Sequence, residues 1–452
     1  MPSSPPSSAD TTNGNMRRTS PLFSSREISE SSPSGIIDEN TGKKTAFFEN
    51  KTGEDGMKKL RMGLIGADFS LRAGMLEKHY PHDRGVMTAV CDTDPVKLEL
   101  YEKEHPGSNA FLCSDYRELV VRDDVDAVFI FVRDRFHEEM AVAALEAGKH
   151  VYLEKPMAIT LDGCDRILET AMKSGAKLMV GHNMRYMPAV VRMKEIIDSG
   201  VIGEVRCVWV RHFVNYGSTY FRHWCAKREN CTGLLLQKGA HDIDVIHWLA
   251  GGYAKRVVGM GGLSVYNRTA DRLKNGEAPD RKASWSDDCW PPLEVTKLAP
   301  EIDIEDHNML LMQLDNGVQA SYEECFFTPD GTRNYTFIGT KGRLENFGIA
   351  GDCRICVWTK RRPGISEADL TYRLYDDSSA SGGHGGADPK IIQAFFDYIQ
   401  NGRTPSVSPV AARNAVAAGF FGHCSMRNGN VPFDIPPVKK EVLEYFNGTA
   451  TE

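Results

Sequence analysis

Two stretches of the sequence carry side chains suited to proton and hydride chemistry. The first, YLEKPMAIT, places Glu154, Lys155 and Pro156 directly after an apolar run. A buried ammonium is costly unless it meets polar partners, and a site that handles a substrate hydroxyl supplies them. Lys155 is therefore a candidate catalytic group, and Glu154 is a candidate to contact a cofactor ribose or to hold the lysine. A structural ion pair at the end of a strand is the alternative interpretation.

The second stretch, GLLLQKGAHDIDVIHWLAGG, sets polar groups into an apolar helical pattern. Gln237 and His241 are four residues apart and Asp244 follows three later, so each pair can share one helix face. Histidine accepts a hydroxyl proton near neutral pH, which makes His241 a candidate base for alcohol oxidation. We assign Gln237, Lys238 and Asp244 to substrate contacts, and the alternative for His241 is a satisfied core histidine.

Other polar groups near this helix point to a sugar or polyol rather than to a metal. His247 follows His241 by six residues, about 240° around a helix, so the two do not clamp one ion, and we predict no metal site. Just upstream, STYFRHWCAKREN offers Arg222 and Trp224, with Tyr220, as groups that can hold a polyol. A loop that packs against the helix is the alternative.

The elements before this helix predict a dinucleotide-binding domain over residues 58–182. Short apolar runs such as LRMGLIGA, VMTAVCD and VDAVFIFV alternate with amphipathic helical stretches. That alternation is typical of a doubly wound parallel sheet, the Rossmann arrangement, with helices on both faces. Ligands then bind beyond the carboxyl ends of the strands.

The first strand ends in a loop that only partly fits the dinucleotide pattern G-x-G-x-x-G. Gly66 fits, but Asp68 and Leu71 take the places of the second and third glycines, and a carboxylate there repels a pyrophosphate. We nevertheless assign the loop to the cofactor. The residues so assigned are Gly66, Ala67, Asp68, Phe69 and Ser70.

Asp92 ends the second predicted strand and indicates which dinucleotide binds. An acid there accepts hydrogen bonds from ribose hydroxyls and disfavours a 2′-phosphate, so we predict NAD rather than NADP. A helix N-cap before Pro95 is the alternative role, and both roles can be filled within the Asp92–Asp94 cluster. Asn183, which follows the fifth strand, is also assigned to the cofactor.

We predict that the remaining chain, residues 183–440, forms a substrate-binding and oligomerisation domain. EVRCVWVRHFV alternates as a strand, a hairpin is centred on DNG, and RNYTFIGTKGRLENFG adds another strand pair. Strands without intervening helices predict a largely antiparallel or mixed open sheet. Residues 265–300 are interpreted as an insertion, and two helices follow near the C-terminus.

Three stretches together resemble the Gfo/Idh/MocA oxidoreductases, named for glucose–fructose oxidoreductase and inositol dehydrogenase. They are AALEAGKHVYLEKPMAIT, VGHNMRYMPAVVRMKEIIDSGVIGEV and GLLLQKGAHDIDVIHWLAGG, in the family's order. The resemblance covers about residues 60–435 and implies a cis peptide between Lys155 and Pro156 and oligomer contacts through the second sheet. The family's helix carries an Asp and a His four residues apart. The His corresponds to His241, but Gln237 replaces the Asp and removes a charge beside Lys155.

Composition bounds the class of protein. The 452 residues carry a formal charge of −7 and 41% hydrophobic residues, with no basic patch for nucleic acid and no apolar run long enough for a membrane helix. Residues 1–57 are rich in Ser, Pro and Thr and predict a disordered tail. The eleven scattered cysteines indicate a reducing compartment, and we expect a cytoplasmic homo-oligomer, a dimer or tetramer.

These observations predict an NAD-dependent oxidoreductase that acts on a CH–OH group of a sugar, sugar derivative or cyclic polyol. Two rivals share the fold. One is a redox-assisted glycosidase or lyase that takes a hydride transiently and returns it. The other is a non-catalytic sensor of NAD or sugar, which Asp68 and Gln237 favour.

Overall fold

The structure is a computed structural model that describes most of the chain after the tail. It covers residues 58–68, 72–277, 290–364, 366–374 and 383–448, with an isolated antiparallel pair, β1 (Ile36–Ile37) and β2 (Lys44–Thr45). Apart from that pair, the predicted tail lies outside the described residues. The same holds for Phe69, Ser70 and Leu71 of the first loop and for residues 278–289 of the predicted insertion.

The first part of the chain forms a six-stranded parallel sheet with the order β5-β4-β3-β6-β7-β8, which confirms the predicted Rossmann arrangement. Apolar clusters cover both faces of the sheet, as expected when every strand is buried. The strands are β3 (Leu60–Ile65), β4 (Gly85–Cys91), β5 (Phe111–Cys113), β6 (Ala127–Ile130), β7 (His150–Leu153) and β8 (Leu178–Val180). The helices between them are α1 (Arg72–His79), α2 (Pro95–Glu104), α3 (Tyr116–Val120), α4 (His137–Glu146) and α5 (Leu161–Ser174).

The second part forms a nine-stranded sheet that is antiparallel except for one parallel pair, β9 with β12. Its order is β16-β15-β14-β13-β9-β12-β11-β10-β17, so the predicted mixed sheet is confirmed. The predicted hairpin around DNG joins β11 to β12. The strands are β9 (Val205–Phe213), β10 (Ala254–Gly262), β11 (His307–Leu314), β12 (Gln319–Cys325), β13 (Thr332–Gly339), β14 (Arg343–Phe347), β15 (Cys353–Trp358), β16 (Leu370–Leu374) and β17 (Phe433–Asp434).

Helices cover one face of this second sheet and build the largest apolar cluster against it. The predicted single helix over residues 234–250 is divided at Lys238 into α9 and α10. The amide of Lys238 still bonds to the carbonyl of Leu234 at 2.7 Å, so the helical spacing of Gln237 and His241 survives the break. The helices are α6 (Pro188–Asp198), α7 (Ser218–Arg222), α8 (Arg228–Cys231), α9 (Leu234–Gln237), α10 (Gly239–Ala250), α11 (Gly383–Asn401), α12 (Pro409–Arg427) and α13 (Lys440–Gly448).

Two C-terminal helices tie the two sheets together. In α11, Phe395 and Phe396 are buried in the cluster on one face of the first sheet, where Phe395 meets Phe129 at a ring distance of 5.1 Å. Helix α12 packs against both α5 and β10. The site between the sheets is therefore framed by segments that are more than 300 residues apart in the chain.

Candidate active site

The predicted chemical groups gather where parallel strands of the first sheet end. Gly66 follows β3, Asp92 follows β4 and Lys155 comes two residues after β7. Because the carboxyl ends of parallel strands meet at one edge, these residues share the crevice in which ligands of such sheets bind. The structure thus brings them together as the sequence predicts.

Gly66 takes a conformation that the first loop requires. Its φ is +95°, and a Cβ there would lie 2.2 Å from the carbonyl oxygen of Phe131. The next amide, from Ala67, donates to Asp92 Oδ2 at 2.8 Å. The predicted cofactor-binding loop is therefore hydrogen-bonded to Asp92, the residue predicted to bind the cofactor ribose.

Asp92 is buried and is not the helix cap. Asp94 caps α2 by accepting from the amide of Val96, which leaves Asp92 for the cofactor as the sequence analysis allowed. Asp92 also pairs with the ammonium of Lys97 at 3.1 Å. A bound dinucleotide would therefore contact the carboxylate of Asp92, which is itself paired with the ammonium of Lys97.

Glu154 does not hold the ammonium of Lys155. Its Oε2 accepts from the backbone amide of Lys155 at 3.0 Å, and its Oε1 lies 3.2 Å from Arg72. Arg72 also reaches Asp388 at 3.1 Å. Glu154 therefore links the strand end to α1 and α11. Of its two predicted roles, holding the lysine side chain is not seen because Arg72 takes that place, and contact with a cofactor ribose stays a prediction.

Lys155 points toward helix α9. Its Nζ donates to the backbone carbonyl of Gln237 at 2.9 Å, and the Lys155–Pro156 peptide is cis, as the family resemblance implied. Burial lowers the pKa of Lys155, and the neighbouring cation of Lys238 lowers it further. The ammonium thus sits in a site that eases its deprotonation relative to an exposed lysine.

Asp134 is a site residue that sequence reasoning missed. It lies in the short 3-10 helix Asp134–Phe136 after β6, it is 4% exposed, and its neighbours are Lys155 and the Gln237 side chain. Burial raises its pKa, while Lys155 works in the opposite direction. The position of Asp134 just beyond a strand end could have marked it as a site residue. The sequence does not give the order of the strands, however, so it does not show which strand ends are adjacent.

His241 is buried between other imidazoles. Its ring centre lies 6.2 Å from that of His182 and 5.8 Å from that of His384. Burial lowers the pKa of His241 well below its usual value, and the cations of Lys155 and Lys238 add to that effect. The ring is therefore neutral near pH 7 and can accept a proton.

Lys238 faces the substrate side of the site and lies against aromatic rings. It is 6% exposed, and its ammonium is 5.5 Å from the ring centre of Tyr216 and 6.0 Å from that of Tyr220. Such cation–π contacts hold a cation without neutralising it. Tyr220 thus lies beside Lys238, and the substrate contact of Lys238 stays a prediction.

Two predicted substrate residues have protein partners instead. Both oxygens of Asp244 are bonded to Arg185 at 2.7 Å, so Asp244 supports the helix, and its substrate contact stays a prediction. Arg222 donates to the carbonyl of Thr296 at 3.1 Å and to Ser218. Trp224 packs in a local apolar cluster with Phe221 and Cys225, which fits the alternative of a packed loop for this segment.

A second missed group comes from the start of α11, where the backbone departs from helical geometry. His384, at φ +54°, accepts from Asn183 Nδ2 at 3.0 Å, and its Nδ1 lies 3.2 Å from Asp388. Asn183 also donates to Asp388. Asn183 therefore bridges the first sheet and the C-terminal segment. His384 lies some 200 residues later, within a glycine-rich stretch that carries no periodic signal.

Several buried polar atoms at this edge have no protein partner among the residues that the structure describes. Buried polar groups are nearly always hydrogen-bonded, so a cluster of unpaired atoms points to a ligand. With Gly66 and Asp92 at neighbouring strand ends, this donor and acceptor set fits a bound NAD and its substrate. The unpaired atoms are Asp134 Oδ2, His182 Nδ1 and Nε2, Asn183 Oδ1, Gln237 Oε1, His241 Nδ1 and Arg333 Nη2.

Comparisons with known proteins agree with this geometry. Residues 60–182 match the oxidoreductase family with an NAD-binding Rossmann fold, and residues 190–345 match the Gfo/Idh/MocA C-terminal domain. These matches span more than half of the chain. The chain therefore belongs to the Gfo/Idh/MocA family of NAD-binding oxidoreductases, as the sequence motifs predicted.

Individual relatives are more distant. YteT of Bacillus subtilis, a protein named as an oxidoreductase, is 27% identical over 352 residues, which cover 69% of this chain and 82% of YteT. Inositol 2-dehydrogenase of Salmonella typhimurium is 34% identical over 194 residues, 42% of this chain and 52% of that relative. This alignment thus spans about half of that relative's length.

A solved structure confirms the fold over nearly its whole length. Levoglucosan dehydrogenase, crystallised with NADH and levoglucosan, superposes with a TM-score of 0.65 at 20% identity. The match covers 84% of this chain and 100% of that structure. At this identity the likeness establishes the shared architecture and leaves the substrate to be argued from the site.

Proposed function

We propose that this protein oxidises a CH–OH group of a sugar, a sugar derivative or a cyclic polyol, or catalyses the reverse reduction, with NAD as the hydride carrier. The observation that carries the proposal is the convergence of Lys155, His241 and unpaired buried polar atoms at the carboxyl edge of the first sheet. Relatives named for inositol and levoglucosan support the substrate class. Residues 58–182 would carry the cofactor and residues 183–440 the substrate.

The residues divide the work of alcohol oxidation between them. NAD, when bound, accepts a hydride from the substrate carbon. The ammonium of Lys155 donates a hydrogen bond to the oxygen that develops negative charge, and neutral His241 accepts the hydroxyl proton through a ring nitrogen. Asp134 lies beside Lys155, and its ionised form favours the charged lysine, while burial raises the pKa of Asp134 to about 8.

The proposal is tested with a panel of sugars, sugar acids and cyclitols, each assayed for formation of NADH by its absorbance. At least one compound should reduce NAD, and the rate should fall in the His241→Ala variant. Tight retention of NAD without net turnover would favour the redox-assisted glycosidase or lyase instead. Binding of NADH without any hydride transfer to or from the panel would favour a sensor and contradict the proposal.

We also propose that two copies associate through the open face of the second sheet. A row of side chains crosses this face in register, with Trp209 opposite Ser321 and Ser321 opposite Leu311. Trp209 is 56% exposed and Leu311 57%, and Met309 and Met260 extend the patch. Contiguous exposed apolar side chains of this kind mark interaction surfaces. Leu311→Glu should lower the mass measured by light scattering, and an unchanged mass would contradict the proposal.

None of the described helices is long and apolar enough to cross a membrane. Ten cysteines in the described part of the chain are free thiols, and six of them are fully or nearly fully buried within apolar clusters. Free thiols persist in reducing compartments. They support our proposal that the protein works in the cytoplasm, which fractionation of tagged protein from its native cells would check.

A further inference from the structure

The substrate side of the site carries an excess of buried positive charge. Lys155, Lys238 and Arg333 all lie close enough to His241 to lower its pKa. Of the three cations, Arg333 has a close carboxylate partner, Asp242, at 3.0 Å. In the part of the chain that the structure describes, no carboxylate oxygen lies within 4.0 Å of the ammonium of Lys238 or of Lys155. Buried charge of one sign is unfavourable unless something neutralises it.

Asp134 and Glu154 act on Lys155, but the carboxyl groups on the side of Lys238 and Arg333 do not neutralise Lys238. Asp242 is already engaged, because it accepts from Tyr322 and Tyr335 and lies 3.3 Å from His212 in addition to Arg333. Glu324 accepts from Tyr322 at 2.9 Å and Asn308 at 2.8 Å, and burial raises its pKa to about 8. Glu324 is therefore mostly uncharged at neutral pH and leaves Lys238 without a counter-charge.

Two donors on this side are available to an anion. The ammonium of Lys238 lies over the rings of Tyr216 and Tyr220, and Nη2 of Arg333 is buried without a protein partner. Lys238 is hydrogen-bonded to the Tyr216 hydroxyl, and Arg333 is close enough to act on the same group, so both cations lie near Tyr216. An ammonium and one guanidinium N–H match the two oxygens of a carboxylate, and charge-assisted bonds of this type are the strong ones.

We propose that the substrate carries a carboxylate, as a sugar acid does, and that Lys238 and Nη2 of Arg333 bind it. This inference rests on the proposed function and narrows it to anionic substrates. The carboxylate would offset the repulsion between the buried cations and would hold the reacting hydroxyl toward Lys155 and His241. Neutral sugars would leave the ammonium of Lys238 desolvated and without a counter-charge, which selects against them.

The test compares sugars that differ only in charge. D-Glucuronate is paired with D-glucose, and D-gluconate with D-sorbitol, in thermal-shift titrations of the NADH-loaded protein and in NAD reduction. The acid of at least one pair should bind on the order of tenfold tighter than its neutral partner. Equal binding, a preference for the neutral sugar, or binding of D-glucose 6-phosphate without binding of either acid would overturn the inference.

Variants identify the residue that recognises the acid. Lys238→Met should reduce the acid-to-neutral affinity ratio by about tenfold, to near one, because a charge-assisted hydrogen bond is lost. Lys238→Arg should retain most of the ratio, and Lys227→Met, which removes an ammonium paired with Glu301 at the surface, should not change it. An unchanged ratio in folded Lys238→Met would overturn the assignment.

Failure of this inference differs from failure of the proposed function. Turnover of neutral polyols with no preference for acids would leave the oxidoreductase intact and remove the carboxylate site. Binding of acids to the NADH-loaded protein without hydride transfer would keep the carboxylate site and remove the oxidoreductase.

Discussion

His241 and Asp244 lie one turn apart on α10, and both are buried, yet their surroundings differ. Asp244 receives two hydrogen bonds of 2.7 Å from Arg185, and Arg185 donates once more to the carbonyl of Ser406. His241 has an unpaired Nδ1 and faces cations. A network in which every polar group has a protein partner stabilises the fold. A network with unpaired polar groups leaves them available to bind a ligand. Burial and residue type alone do not separate the two roles.

If His241 and Lys155 act in catalysis, their loss should have the largest effect of all, on turnover. Replacing His241 with Ala, or Lys155 with Ala, should lower turnover by about 10²–10⁴-fold because each removes a group that acts on the reacting oxygen. In His241→Ala, NADH binding and melting temperature should change little, since His241 Nδ1 makes no protein hydrogen bond. Lys155→Ala also removes the bond to the carbonyl of Gln237, so its turnover is taken per folded molecule. The double variant should lose less than the product of the two single losses. Turnover per folded molecule close to that of the unaltered protein would remove the residue concerned from the mechanism.

The same comparison predicts the reverse outcome for the Asp244 network. Asp244→Ala leaves the guanidinium of Arg185 buried without its partner, which should cost about 3–5 kcal/mol of unfolding free energy. Denaturant unfolding measures this loss. Asp198→Ala, which breaks an exposed pair with Lys194, is the matched control and should cost less than about 1 kcal/mol. Equal effects of the two substitutions would show that the Asp244 network does not stabilise the fold.

Much of this arrangement follows from the sequence, and what does not has a physical reason. Strand ends mark Gly66, Asp92 and Lys155 because apolar runs stop there, and the helical spacing of Gln237 and His241 survives a break in the helix. The sequence does not show which side chains pair with one another. Arg185 reaches Asp244 because the 3-10 turn Asn183–Tyr186 packs against α10, and the sequence near Asp244 does not specify that packing.

The residues that sequence analysis missed follow the same rule. Asp134 reaches Lys155 only because β6 and β7 are neighbours in the sheet, and His384 reaches His241 only because α11 folds back onto the first sheet. Neither residue lies in an amphipathic pattern that would have marked it. Local patterns therefore predict which groups can react, and tertiary packing decides which of them meet.

Asp92 offers a smaller test at the cofactor end of the site. The carboxylate disfavours a 2′-phosphate, so NAD should bind more tightly than NADP, as fluorescence titration would show. Asp92→Ser removes that repulsion and releases Lys97 for a phosphate, which should reduce the preference by about tenfold. Asp94→Ser, at the cap of α2, should leave the ratio unchanged. Tighter binding of NADP by the unaltered protein would contradict the assignment of Asp92.

The smallest effect concerns the carboxylate beside Lys155. Asp134 favours the ammonium form, so Asp134→Asn should lower the pKa of Lys155 further. If the charged lysine is the active form, the fall of kcat/KM at alkaline pH should move to lower pH, by about one unit for the loss of a close opposite charge. Lys155 contacts the backbone carbonyl of Gln237, and Gln237→Asp gives that residue a carboxylate side chain. The fall of kcat/KM should then move to higher pH.

The two substitutions together sharpen this prediction. A protein with both Asp134→Asn and Gln237→Asp carries its carboxylate at position 237 instead of position 134, so its alkaline limb should return toward that of the unaltered protein. A merely structural Asp134 would lower stability without moving the limb, and Gln237→Asp would then not restore anything. Asp115→Asn, at an exposed helix cap, is the control and should leave the profile in place. A limb that moves to higher pH in Asp134→Asn would contradict the role proposed for this carboxylate, because removing a negative charge cannot favour the ammonium.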